Sequence, residues 1–158
     1  MMNLRTRLKD QRGFNLIELM IVIAIIGLLI GVGALAWGAM IRSGNETAAI
    51  QLLDRIRMYE AQYASRNRGK FAKFDDLVRV AGLDSKYAGE TPAVDGYIFT
   101  ITTVDASQST PAFYSVKANP QVPTGATATG NHFFYTDSNV SSIKMNDTQE
   151  AGPDDPST

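Results

Sequence analysis

One acidic side chain lies inside an otherwise uncharged apolar segment near the N-terminus. Between Leu16 and Ile41 the only ionisable side chain is that of Glu18. This segment has about the 20 apolar residues that a helix needs to cross the hydrocarbon core of a membrane. A charged side chain in such a span costs about 2.5–3.5 kcal/mol at the bilayer centre and less near the interface. The carboxylate of Glu18 therefore needs a partner.

A carboxylate at the edge of an apolar segment can also reach water at the membrane interface. Here a short basic leader precedes the segment, and Gly13 lies five positions before Glu18. This combination of leader, glycine and acid favours a specific role for Glu18 over a purely interfacial one.

The rest of the chain offers little for catalysis. It has no cysteine and a single histidine, His132, so thiolate chemistry and histidine metal clusters are excluded. Asp75 and Asp76 are adjacent carboxylates without convergent ligands, and we expect them to place favourable charge in the first turn of a short helix. Phosphate-binding, dinucleotide-binding and hydrolase motifs are absent from the sequence. We therefore expect no catalytic residue, no metal site and no cofactor, and hence no enzyme.

Residues 13–27, with the sequence GFNLIELMIVIAIIG, resemble the class III signal of type IV pilins and their secretion-system relatives. The resemblance is carried by the spacing of a glycine, an aromatic residue and a glutamate. It implies that a leader is cut after Gly13, that Phe14 becomes the N-methylated first residue, and that Glu18 is the fifth mature residue. Asn15 stands where the family usually has threonine, which is a minor departure.

The same resemblance implies partners and a location. A prepilin peptidase and methyltransferase would process the chain, and an inner-membrane pilus assembly platform would build copies of it into a helical filament. Before assembly the chain would span the inner membrane once, with its C-terminal domain in the periplasm. After assembly it would lie in an extracellular pilus at the cell surface. No specific nucleic acid or small molecule is predicted as a partner.

The charge distribution agrees with this orientation. Residues 1–13 contain four basic side chains and one acidic side chain, whereas residues 14–158 contain 11 basic and 15 acidic ones. The positive-inside rule places the basic leader in the cytoplasm. The acidic balance of the remainder argues against a general nucleic-acid-binding surface.

Gly27 and Gly31 interrupt the apolar helix, where each glycine costs about 1 kcal/mol relative to alanine. Their spacing of four forms a small-xxx-small pair that allows helices to approach closely, which predicts a role in assembly. Glycine is also simply commoner in membrane spans than elsewhere, and this alternative stays open.

An ordinary secretory signal cut after Ala36 is the main alternative for the N-terminus. The apolar segment is longer than the roughly 7–15 residues of such signals, and an ordinary signal gains nothing from an acid near its start.

Beyond the apolar segment, apolar residues recur at spacings of three and four from Ala49 to Tyr63, which predicts that the helix continues with one buried face. Charged residues, Glu60 among them, are expected to cover the other sides. Gly69 should end this helix, and a short helix over 74–82 should follow and end at Gly82. Four strands are then predicted by alternation and turn residues, at 97–104, 112–118, 132–136 and 140–144.

The predicted fold class is α+β, with a long N-terminal α-helix whose transmembrane first half precedes a half packed on a C-terminal antiparallel β-sheet of about four strands. This is also the type IV pilin-like fold that the resemblance implies. The predicted division is a removed leader at 1–13, a hydrophobic transmembrane and assembly helix at 14–41, a globular domain at 42–145 and a flexible acidic tail at 146–158.

Three functions are compatible with this pattern. The first is a structural subunit of a type IV pilus-like filament, with adhesion, twitching motility or DNA uptake as its uses. The second is a pseudopilin of a type II secretion system. The third is a membrane-anchored ligand-binding module whose sheet aromatics, Phe133, Phe134 and Tyr135, grip a ligand, although aromatic residues on strands more often belong to a core.

Overall fold

The computed structural model describes residues 14–158. Two compact units divide the chain between Trp37 and Gly38. Helix α1 (Leu16–Arg66) supplies the described helix of the first unit and continues into the second. The predicted leader, including Gly13, lies outside the described residues.

The second unit is built around the face of α1 that the apolar spacing predicted. Ala49, Leu52, Leu53 and Ile56 are buried there, with two tyrosines of the next turns partly buried beside them. The prediction of this apolar stripe is confirmed.

The prediction that Glu60 lies on the outer side of the helix is wrong, because its side chain is 0% exposed. Position 60 is one turn beyond Ile56, so the helical period places it on the buried face whatever its charge.

Glycine ends both helical segments, as predicted. The amide of Gly69 donates to the carbonyl of Ala64 at 2.9 Å, and Gly69 has a φ of +80°. Helix α2 (Phe74–Asp76) continues into a π-helical turn (Leu77–Ala81), which ends at Gly82 with a φ of +85°. A left-handed residue after the last turn is the usual way to satisfy the final carbonyls of a helix.

Five antiparallel strands follow in the order β1-β2-β3-β4-β5, so that each strand pairs with its neighbour in sequence. The predicted α+β arrangement of a long N-terminal helix and an antiparallel sheet is confirmed. The strands are β1 (Ala93–Val94), β2 (Tyr97–Val104), β3 (Phe113–Pro120), β4 (Phe133–Asp137) and β5 (Lys144–Asn146).

The strand count and the last strand differ from the prediction. Strand β1 has two residues, which is too short for an alternating pattern to show in the sequence. The last strand begins at Lys144 instead of spanning 140–144. Asp137 Oδ1 accepts the amides of Asn139 and Val140 at 2.7 and 2.9 Å, so the backbone turns there. Short side-chain bonds of this kind compete with strand pairing.

One face of the sheet completes the core. Alternate residues of β2, β3 and β4 point towards the same cluster as the buried face of α1, and they are largely aromatic. The ring centroids of Tyr97 and Phe134 are 5.8 Å apart, and those of Tyr97 and Phe99 are 6.4 Å apart. These separations lie in the favourable range for tilted aromatic pairs.

The expectation of a flexible tail at 146–158 needs correction, because this segment is tied to the sheet. Met145 donates its amide to the carbonyl of Pro156 at 2.9 Å, and the amide of Thr158 donates to Ile143 at 3.0 Å. The side chain of Ala151 is 2% exposed. The acidic, apolar-poor composition concealed this attachment, because backbone hydrogen bonds along β5 do not depend on apolar side chains.

A carboxylate fastens the same segment to the outer face of β3. Glu150 accepts the Lys117 ammonium at Oε2 and the Asn119 amide group at Oε1, both at 2.7 Å. The Lys117 ammonium also lowers the pKa of Glu150, so the contact is present at neutral pH and is lost as the pH falls through the lowered pKa.

Replacing Glu150 by alanine should therefore loosen residues 146–158 without unfolding the domain. The pair is partly exposed, so we expect a loss of at most about 1 kcal/mol in global stability. The local effect should be a several-fold faster cleavage of the tail by an unspecific protease, followed by mass spectrometry. Glu90→Ala, at another exposed glutamate, is the control; equal cleavage rates for the two variants would contradict the assignment.

Candidate processing and assembly segment

The start of α1 is capped by its own side chains. The amide of Ile17 donates to Asn15 Oδ1, and the amide of Asn15 donates to Glu18 Oε2, both at 3.3 Å. This pattern, with a cap residue and a glutamate three positions later, is a variant of the capping box in which the cap oxygen accepts from the second helical residue instead of the third. Asparagine is among the best N-cap residues, so the departure at Asn15 leaves the helix start well capped.

The capping box places the predicted processing and assembly residues at one end of the helix. Phe14 directly precedes the cap and is 90% exposed, and Glu18 lies in the first turn of α1. Gly13, the predicted cleavage position, lies outside the described residues.

The helix that follows is apolar and uncovered. Its most hydrophobic window of 18 residues has a mean hydropathy of 2.9, and none of that window is buried within the chain. Leu28, Ile30 and Trp37, for example, are each about two-thirds exposed. Helix α1 is long and apolar enough to cross a membrane. An apolar surface of this extent requires lipid or other protein around it.

The two glycines of the predicted small-xxx-small pair have free space around them. A Cβ atom built at Gly27 or at Gly31 meets no atom within 4 Å. Packing among the described residues of this chain therefore does not require glycine at either position.

A comparison with known protein families finds the prokaryotic N-terminal methylation motif at residues 8–34. This match covers the end of the leader and the apolar start of α1. The match supports a class III signal peptide of the kind that type IV pilin-like proteins carry. No curated protein and no solved structure matches the chain.

The methylation motif and the exposed apolar helix both fit anchoring in a membrane before assembly. The match confirms the resemblance that residues 13–27 carry. The motif supports a type IV pilin or pseudopilin family protein without distinguishing the two.

The two adjacent carboxylates, Asp75 and Asp76, have structural contacts. Asp75 Oδ1 accepts the amide of Gly89 at 2.8 Å, which joins α2 to the following loop. Asp76 pairs with Arg79 at 2.6 Å, one helical turn away. The two carboxylates thus have separate partners.

The aromatic residues of β4 are mostly unavailable for gripping a ligand. Phe134 is fully buried in the core, and Tyr135 is buried with its hydroxyl donating to Asp137 Oδ2 at 2.7 Å. Phe133 is half-buried. The observed packing agrees with the core interpretation of the aromatic residues at 134 and 135.

One polar link was not visible in the sequence. Glu46 of α1 accepts the amide of Asn131 at 2.6 Å and lies 3.0 Å from His132 Nδ1, while His132 Nε2 lies 3.6 Å from Asp147. The link ties the loop before β4 to the helix. Glu46 and Asn131 are 85 positions apart, and no local pattern marks such a pair.

Proposed function

We propose that this chain is the precursor of a structural subunit of a type IV pilus-like filament, assembled from the inner membrane through the start of α1. The observation that carries the proposal is the N-terminal methylation motif on a capped helix whose apolar side chains are exposed. A single subunit leaves this surface without protein cover, and a bundle of such helices would bury it.

Maturation begins in the membrane. The basic leader stays in the cytoplasm while the apolar segment at 14–41 spans the bilayer and the C-terminal domain lies in the periplasm. The peptidase hydrolyses the bond between Gly13 and Phe14, which frees the amine of Phe14 for methylation. The apolar segment then leaves lipid for the filament, where neighbouring helices replace the lipid contacts.

Glu18 sets the position of each incoming subunit. In the filament its carboxylate pairs with the Phe14 amine of a neighbouring copy. An unpaired charge inside an apolar bundle is strongly penalised, so this pairing favours one axial register over others. The exposed position of Glu18 in the first helical turn supports the proposal, since the carboxylate is accessible to a second chain.

Gly27 and Gly31 provide a surface for close helix contact. The free space around both positions in the single chain leaves room for a neighbouring backbone to approach. The cost of about 1 kcal/mol for each glycine in the helix is then offset by packing between subunits.

The cleavage step is tested by replacing Gly13 with leucine. Wild-type protein purified from membranes should begin at Phe14, with a mass excess of about one methyl group, when its N-terminus is sequenced and its mass measured. Gly13→Leu should accumulate as the unprocessed precursor, at least about tenfold over wild type, because a bulky side chain precedes the scissile bond.

The same measurement separates the alternatives. A wild-type N-terminus at Trp37 would show an ordinary secretory signal and overturn the proposal. Normal processing of Gly13→Leu would contradict the assignment of residues 1–13 as a leader that is cut after Gly13. Filaments on intact cells that disappear when the gene is deleted would establish a pilus, whereas loss of exoprotein secretion without loss of filaments would establish a pseudopilus.

A further inference from the structure

The core of the second unit contains a carboxyl group that the filament function does not use. Glu60 of α1 is 0% exposed, although it lies far beyond the apolar segment at 14–41. Its Oε2 accepts the amide of Ala72 at 2.9 Å, and its Oε1 has no hydrogen-bond partner among the described residues. A buried carboxyl with one unsatisfied oxygen is rare and costly, particularly in its charged form.

The single bond of Glu60 has a defined structural effect. Ala72 belongs to the connection between α1 and α2, residues 67–73, and its amide bond to Glu60 joins this connection to the helix. Ala72 is itself buried, and the ring of the preceding Phe71 lies 4.7 Å from that of Tyr114 on β3. The connection thus packs on the core where Glu60 is buried.

Few charges are available to balance an ionised Glu60. Arg57 lies one turn earlier on α1, but its guanidinium donates to the carbonyl of Ser141 at 2.6 Å and pairs with Asp54 at 3.3 Å. Lys70 and Lys73 of the connection are exposed, and Lys70 pairs with Asp105. From the sheet, Tyr114 and Asp137 lie on this side of the core.

The electrostatics of the site agree with this geometry. Burial raises the pKa of Glu60 to about 7, and the Ala72 amide offsets only part of this rise. The pKa of Tyr114 is raised to about 12, chiefly by burial and then by the nearby Glu60 carboxyl. The folded domain therefore favours the neutral acid.

A cleft lies next to this position, and Glu60 itself does not line it. It has a volume of about 240 Å³ and is lined by Arg57 and Ala61 of α1, by Phe71 and Tyr114, and by Asp137, Ser138 and Val140 around the end of β4. Arg57 and Ala61 flank Glu60 along the helix, and Phe71 adjoins Ala72. Movement of the 71–72 backbone would open the cleft towards Glu60.

We propose that Glu60 is a proton-controlled latch, which holds residues 67–73 against α1 while its carboxyl is protonated and releases them when it ionises. Ionisation creates a buried charge without a cationic partner. The response that costs the least free energy is for residues 67–73 to move away from α1. The carboxylate then contacts water or Arg57 through the cleft. The latch belongs to the globular domain and does not depend on the proposed filament function.

The sign of the pH dependence follows from proton binding. Because the pKa of Glu60 is higher in the folded state than the ordinary value of 4.5, the folded state holds the proton over a range in which the unfolded chain has lost it. The stability contributed by the neutral acid is complete below the unfolded pKa and is lost as the pH rises to about 7.

Amide hydrogen exchange of the full-length protein in detergent tests the latch. For the wild type, we expect the protection factor of the Ala72 amide to fall on the order of 100-fold between pH 5 and pH 8, after correction for the intrinsic exchange rate. Glu60→Gln keeps an acceptor for the Ala72 amide but cannot ionise, so its protection should stay constant. Glu90→Gln, at an exposed glutamate, should behave as the wild type.

A second measurement keeps the proposal testable if Glu60→Gln fails to fold. The side-chain carboxyl carbon of Glu60 can be titrated by NMR in the wild-type protein, with Glu60→Asp aiding assignment. A midpoint near pH 7, accompanied by chemical-shift changes at residues 67–73, supports the latch. A midpoint near 4.5, or a pH-dependent loss of protection that persists in Glu60→Gln, would overturn it.

Discussion

Glu18→Ala is expected to give a protein that inserts into the membrane and loses its leader, but that forms almost no filaments. In the proposed pairing, leaving the Phe14 ammonium of a neighbouring subunit without Glu18 in an apolar bundle would cost about 3–5 kcal/mol. This penalty corresponds to a decrease of 100-fold or more in filament yield. Shearing filaments from cells and quantifying the subunit measures that yield, while the membrane fraction reports insertion and processing.

The capping box makes a sharper control available for this experiment. Glu18→Ala removes both the charge and the acceptor for the Asn15 amide, whereas Glu18→Gln removes the charge and keeps a side chain that suits a capping box. We expect both variants to assemble poorly. Wild-type filament yield from Glu18→Gln would show that capping, and not charge pairing, is what assembly requires.

Gly130→Ala is expected to destabilise the globular domain by about 3 kcal/mol in unfolding free energy. A Cβ atom at this position would overlap the hydroxyl and ring of Tyr97. Tyr97 cannot move aside, because its ring is fully buried and its hydroxyl donates to the carbonyl of His132 at 2.8 Å. The strain therefore falls on the backbone of the loop before β4.

The same substitution at Gly44 is the matched control. Gly44 lies in α1 with no atom within 4 Å of a built Cβ, so alanine there should stabilise the helix by about 1 kcal/mol. Thermal unfolding of both variants and the wild type in one detergent gives the comparison. Equal stability of Gly130→Ala and the wild type would contradict the close contact with Tyr97.

The helices and strands show which parts of the fold can be predicted from local sequence patterns. The spacing of three and four from Ala49 to Tyr63 predicted the buried face of α1, and the alternation over 97–104 predicted β2 with its observed bounds. These predictions succeed because the repeat of a helix or a strand fixes which residues share one face. Spacing along the chain therefore predicts which residues are buried together. Glu60 was wrongly predicted to lie on the outer side of α1, because its charge was given more weight than its position in the helical repeat.

The remaining errors concern segments whose contacts come from distant residues. The tail from 146 looked unstructured because its composition is acidic, yet it pairs through its backbone with β5 and through Glu150 with β3. The last strand was predicted to start too early because bonds to Asp137 turn the backbone at 139–140. The link of Glu46 to the loop before β4 spans 85 positions.

The sequence by itself determined the N-terminal methylation motif, the apolar helix and the α+β arrangement. Those features depend on residues close together in the chain, where spacing alone carries the signal. The tertiary structure decided which polar groups are buried and what they bind, above all the solitary Glu60 carboxyl and the backbone attachment of residues 146–158. Burial of a polar group depends on which elements pack over it, and that arrangement is fixed only when the whole domain has folded.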